Sequence, residues 1–118
     1  MSKAVRTDRN VVVVIGRLRR APEQRVLPDG TAILELEVVS AADGVSATIP
    51  VTWVTTSVPS WGDGQSVAVL GAVRRRFYRA GGATVSRTDV LASMVLSGHQ
   101  AGRITAALSR AAAAVESN

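Results

Sequence analysis

Apolar positions along the chain follow two periods: runs or strict alternation through residue 96, then helical spacing after residue 100. Val11-Val12-Val13-Val14-Ile15 is β-branched throughout and too rich in valine for a helix. It predicts a strand covered on both faces, running out through Gly16-Arg17-Leu18. Gly16 inside that pattern points to a bulge or sharp bend of the kind small barrels use to curl. Ala21-Pro22-Glu23 breaks the pattern. Arg25-Val26-Leu27 and Thr31-Ala32-Ile33 then flank Pro28-Asp29-Gly30, a turn in which proline presets φ and glycine supplies positive φ. Leu34, Leu36 and Val38 alternate with Glu35 and Glu37, giving one core face and one wet face.

After a short turn at Ala41 to Gly44, Thr48 to Val54 reads as a third strand. Pro50 has no N–H for a ladder, so that strand lies at an edge or bulges there. Ser57 to Gly64 is a loop holding Trp61. Gln65 to Tyr78 is the most informative strand: Val67, Val69, Gly71 and Val73 share one face, and Ala68, Leu70, Ala72, Arg74, Arg76 and Tyr78 the other. Gly81-Gly82 turns the chain and Ala83 to Leu96 returns, a long β-hairpin. Ile104, Leu108, Ala111 and Val115 recur at helical spacing, predicting a helix over 100–116 with a thin apolar stripe. Alone it is marginal in water, so it is expected to dock on its own barrel or on a neighbouring subunit, the alternative being a disordered Ala/Ser tail. The pattern predicts an all-β chain, a five-stranded small barrel with extended β-hairpins and a C-terminal α-helix.

The length, 118 residues, fits one domain. Hydrophobic residues make up 47% and aromatics 3%, so the core is built from Val, Leu, Ile and Ala. With no cysteine and a single histidine, His99, there is no disulfide, thiolate or multi-histidine metal site, and no cofactor is expected. Catalysis is not expected either: a Ser/His/Asp arrangement cannot be argued, and no phosphate-binding glycine run precedes a helix. Glu35 and Glu37, with Asp43, read as a solvated face and not as an ion site. Before the first apolar run stand Lys3, Arg6, Asp8 and Arg9, and no stretch nears the ~18 apolar residues of a membrane span, so a soluble cytoplasmic chain is expected.

The formal net charge is +5, and all basic residues but Lys3 are arginine. That balance suits a polyanion, most often nucleic acid, although the arginine preference also fits a GC-rich genome. Arg74, Arg76 and Tyr78 repeat at period two, about 6.5–7 Å apart along a strand and close to one nucleotide step. Such a stripe reads either as phosphate forks beside a stacking ring or as a solvated edge with its tyrosine lying along it. Trp53 is either core or a second stacking ring. Trp61 reads as a plug under its loop or an interface residue, and Phe77, opposite in sense to Tyr78, as core or interface. Arg17, Arg19 and Arg20 follow the first strand, and Arg79 and Arg87 flank the second hairpin. Singly they are surface charges; together they line a groove.

In order and spacing these segments resemble the bacterial single-stranded DNA-binding protein family. The resemblance covers roughly residues 10–98. It runs from Asn10-Val11-Val12 into Gly16-Arg17-Leu18, through Pro22-Glu23 and Pro28-Asp29-Gly30, to Ile49-Pro50-Val51-Thr52-Trp53. Its most specific part is Gly64-Gln65-Ser66-Val67-Ala68-Val69-Leu70-Gly71 followed by Arg74, Arg76 and Tyr78, and Thr88-Asp89-Val90 completes it. The resemblance implies an OB-fold over 10–98 between a flexible arm at 1–9 and an Ala-rich helix at 99–118. It implies non-catalytic binding of single-stranded DNA in replication, recombination or repair, by a nucleoid-associated homotetramer or dimer that meets replication or repair proteins. The binding residues it implies are Arg17, Arg19, Trp53, Arg74, Arg76, Tyr78, Arg79 and Arg87, with no metal.

The chain departs from the family in four ways. Gly44 and Ala47 stand where further aromatics are usual, Glu35 and Glu37 stand where neutral residues are, the loop between the second and third strands is short, and the Ala-rich segment 99–118 replaces a disordered tail with an acidic-hydrophobic tip. These departures suggest a short paralogue. They also keep open an alternative, an OB-fold protein-interaction accessory, primosome-like or conjugation-related, with weak DNA binding.

Overall fold

The computed structural model describes residues 8–116, which form six strands and one helix. The strands are β1 (Val12–Leu18), β2 (Glu23–Val26), β3 (Ala32–Ala42), β4 (Val45–Thr55), β5 (Ser66–Ala80) and β6 (Ala83–Ser97), followed by α1 (Ala101–Glu116). Most of the arm expected over 1–9 lies outside the described residues. The sixth strand is β2, of which the sequence pattern reads Glu23 as a break and Arg25 and Val26 only as the short arm before a turn. All four of its residues are exposed, so no apolar alternation marks it; its ladder to β3, Glu23↔Glu35 through Val26↔Ala32, defines it.

The strand order is β1-β5-β6-β4-β3-β2, and every neighbouring pair is antiparallel except β4–β6. β1 also pairs with β3 through Arg17↔Val39 and Leu18↔Val38, so the ladders run from β1 through β5, β6, β4 and β3 back to β1. Pro50 is compatible with an interior strand because the ladder to β6 begins one residue later, at Val51↔Val90.

Gly16 sits where β1 passes from β5 to β3. A Cβ built there would lie 2.2 Å from the Val39 carbonyl oxygen, so the close approach of β1 and β3 depends on a bare α-carbon. Instead of a bulge, the β1–β5 register runs through Gly16 unshifted, and the glycine serves this close approach. Gly16→Ala is expected to lower stability by about 1–3 kcal/mol, the usual scale of overpacking. Urea denaturation measures it, and an unchanged midpoint would show that the two strands part without cost.

The second hairpin turns on Gly81 and Gly82, with φ of 59° and 81° between the paired Ala80 and Ala83. Two consecutive left-handed residues match the twist of the flanking strands, which fixes the register of the whole hairpin. Ser93 is the one irregularity: Leu70 pairs with Met94 but Gly71 with Ala92, and the Ser93 hydroxyl donates to the Leu70 carbonyl at 3.0 Å.

The core is aliphatic, as the composition requires. Leu34, Leu36 and Val38 point inward from β3 and meet Val51, Val67 and Val69. β1 differs from expectation. Val14 is buried, but Val11, Val13 and Ile15 are 37%, 40% and 55% exposed. β-branched side chains fit a pleated strand whichever face water touches, so a run of valine specifies a strand without specifying burial.

The helix docks on its own sheet, over Ala68 and Leu70 of β5 and Met94 and Leu96 of β6. Its seam is rotated from the expected stripe: Ala107 and Ala111 are buried, whereas Leu108 and Val115 are 38% and 51% exposed. Alanine permits the closer approach, and the larger side chains flank it. Among the described residues no helix is long and apolar enough to cross a membrane.

Candidate nucleic-acid interface

Strand alternation places the charged residues. Val90 and Val51 face the core as a cross-strand pair, so Asp89 on β6 and Thr52 on β4 face outward. The hairpin register sets Arg74 against Asp89, Arg76 against Arg87 and Tyr78 against Val85. On the far side Thr52 lies opposite Glu35 of β3. One continuous outer face therefore carries Glu35 and Glu37, then Thr52, then Arg87 and Asp89, then Arg74, Arg76 and Tyr78.

Asp89 organises this face. Its side chain is fully shielded from solvent. Oδ1 accepts from Arg74 Nε at 2.8 Å, and Oδ2 accepts from Thr52 Oγ1 at 2.7 Å, Arg74 Nη2 at 3.3 Å and Arg76 Nη2 at 3.3 Å. Burial pushes the carboxyl upward. The hydrogen bonds from Arg74 and Thr52, with the charges of Arg74 and Arg76, outweigh that and hold it below the ordinary carboxylate range. Arg74 is raised in turn, chiefly by its bond to Asp89. One anion thus fixes two guanidinium groups on a single strand face. Both arginines keep part of their surface in solvent, 30% and 45%.

A pH dependence follows. In the unfolded chain Asp89 takes up a proton near the ordinary carboxylate pKa of about 4. In the folded chain it does so only at lower pH. Between those two values the unfolded state binds more protons, so stability falls as pH falls. Thermal midpoints should drop below about pH 5, and less so in Asp89→Asn; an identical profile in the variant would assign the acid sensitivity elsewhere.

The two glutamates carry partners. Arg87 Nη2 lies 3.3 Å from Glu35 Oε2, and Arg20 Nη2 lies 3.5 Å from Glu37 and 3.2 Å from Glu23. These exposed pairs contribute little to stability. Their effect is on the field of the face, where each glutamate charge is offset by an arginine.

Past Arg74 every residue of β5 is exposed, and on β6 no residue before Asp89 is buried. The hairpin holds Arg74, Arg75, Arg76, Arg79 and Arg87 against Asp89 as its sole carboxylate between residues 74 and 89. Tyr78 is 49% exposed beside Arg76. Phe77 is not core: it is 67% exposed on the opposite face, with the Arg75 guanidinium 5.3 Å from its ring centroid. Arg79 donates to Thr84 Oγ1 and the Gly82 carbonyl, bracing the hairpin tip.

The other sequence candidates lie elsewhere. Arg17 pairs with Ser66, eight residues before Arg74 on β5 and hence about 26 Å away along the strand. Arg19 follows β1, its N–H donating to the Glu37 carbonyl at 2.9 Å. Trp53 lies opposite Leu34, on the inward side of β4, with its ring stacked on Trp61 at a centroid distance of 6.1 Å and an interplanar angle of 15°. The arginine face therefore gathers Arg74, Arg76, Tyr78 and Arg87, without Trp53 or Arg17. Thr52 and Asp89 join it although neither is a sequence candidate. Among the described residues no three His, Cys, Asp or Glu side chains are grouped to hold a metal ion. Compared with protein-family models and with curated proteins, the chain matches none of either.

Proposed function

We propose that this chain is a non-catalytic binder of single-stranded DNA, built as an OB-fold, whose strand lies across the outer face of β4, β6 and β5. The observation that carries the reading is the Arg74–Asp89–Arg76 cluster with Tyr78 next to it on β5. Single strands are held by a basic track beside rings on which bases stack. Here the two arginines are held in place before any ligand arrives, so less side-chain entropy is lost on binding. The return of the ladders to β1 supports the barrel reading, with β2 as an added outer strand. A role in replication, recombination or repair, a cytoplasmic, nucleoid-associated setting and a dimer or tetramer belong to the same proposal. The apolar edge at Val13 and Ile15, 40% and 55% exposed, favours the second reading, an accessory that binds protein first and DNA weakly.

Titration of a fluorescent oligo-dT at several salt concentrations separates the two. Three phosphates met by arginine give a slope of log K against log salt near −2, at about −0.7 per phosphate. Binding with that slope supports the proposal. Absence of binding at low salt, or affinity indifferent to salt, overturns it in favour of the accessory reading.

A further inference from the structure

The outer face does not end at Arg74. Toward the helix it opens into a groove of about 540 Å³ between the sheet and the C-terminal half of α1. Leu70, Ala72 and Leu91 form its floor, and Arg110, Ala111 and Ala114 line it from the helix. None of its lining residues is acidic. Its volume falls within the roughly 300–1,000 Å³ of small-ligand sites.

Three observations give the groove an occupant. Ala72 lies two residues before Arg74 on the same outward face of β5, and Leu91 two residues after Asp89 on β6, as a cross-strand pair. The groove thus begins about 7 Å from the arginine cluster, one nucleotide step along the strand. Its floor is apolar and suits the flat face of a base taken out of a stack. Its helix wall brings an exposed guanidinium, Arg110, with no acidic partner among the described residues. A nucleotide needs these two features together, an apolar surface for the ring and a cation for the phosphate.

We propose that the groove between α1 and the sheet is a nucleotide subsite. It takes one unstacked base of a bound single strand, and Arg110 meets the adjoining phosphate. This rests on the single-strand reading above and gives the helix a part in binding.

The test measures fluorescence anisotropy of a labelled oligo-dT, intact or with one abasic residue at each position in turn. It uses the full chain and three variants, Ala72→Phe to fill the groove, Arg110→Ala, and Arg76→Ala as a control for the arginine face. Circular dichroism checks folding. Ala72→Phe and Arg110→Ala should each weaken binding about five- to tenfold. One abasic position should weaken the wild type and leave Ala72→Phe no weaker than with intact DNA. If Ala72→Phe is folded and binds as the wild type does, while Arg76→Ala binds poorly, the subsite is wrong and the arginine face stands. If the wild type fails to bind oligo-dT, both proposals fall. Unchanged DNA affinity in Ala72→Phe with a changed mass in sedimentation would assign the groove to a second copy and overturn the subsite. Should Ala72→Phe not fold, Arg110→Ala decides alone, because its side chain is exposed and its loss leaves no cavity.

Discussion

Asp89→Ala is expected to lower folding stability by about 3 kcal/mol, more than other polar substitutions on the outer face. The carboxylate is fully shielded and accepts from Thr52, Arg74 and Arg76. Removing one partner of a buried ionic cluster typically costs about 3–5 kcal/mol, because the remaining groups lose their compensation. The lower end applies here, since Arg74 and Arg76 are 30% and 45% exposed and water takes over part of their solvation. Asp89→Asn keeps the shape and an acceptor for Thr52, so it should lose less. Urea denaturation of both variants gives the comparison. A loss below about 1 kcal/mol for alanine would mean that the arginines hold their places without the anion.

The second large effect is on binding. Tyr78→Ala and Arg76→Ala should each weaken oligo-dT binding by about 1–3 kcal/mol, the range for losing a stacked base. Arg76 is the better arginine to remove, because Arg74 makes the shorter bond to Asp89 and its loss would disturb folding as well. The two residues are strand neighbours at period two, so the double variant should depart from additivity. Arg76→Ala should also flatten the salt slope, and Tyr78→Ala should leave it nearly unchanged. Trp53→Ala is a useful contrast. With its ring on the inward side against Trp61, its loss should appear as instability, with affinity retained by the folded fraction. Folded Tyr78 and Arg76 variants with full affinity would remove these residues from the site.

The stripe Arg74, Arg76, Tyr78 was legible because period two is a property of any strand, whatever the tertiary context. Its organising anion was harder to see, although the signal exists. Counting outward from Gly81-Gly82, each step back along β5 matches one forward along β6, and the count reaches Asp89 opposite Arg74. Thr52 had no such signal, because the β4–β6 ladder is parallel and joins distant segments. Trp53 illustrates the opposite difficulty. Alternation within β4 separates two faces but does not say which is inward; the pairing of Trp53 with Leu34 of β3 decides it. The valines of β1 specified a strand and misled on burial. The helix was legible from its alanine content. Its seam was not, because the docking face follows the contour of β5 and β6 and favours Ala107 over Leu108.

The most direct test of the central claim is to record amide chemical-shift changes across the chain as unlabelled oligo-dT is added. The account predicts changes concentrated at residues 72–78 and 85–91, with Thr52 beside them, a smaller set at residues 110–114 where the groove is occupied, and little at Arg17. A shift map centred on Arg17 and the open face of β1, or no change at all at low salt, would contradict it.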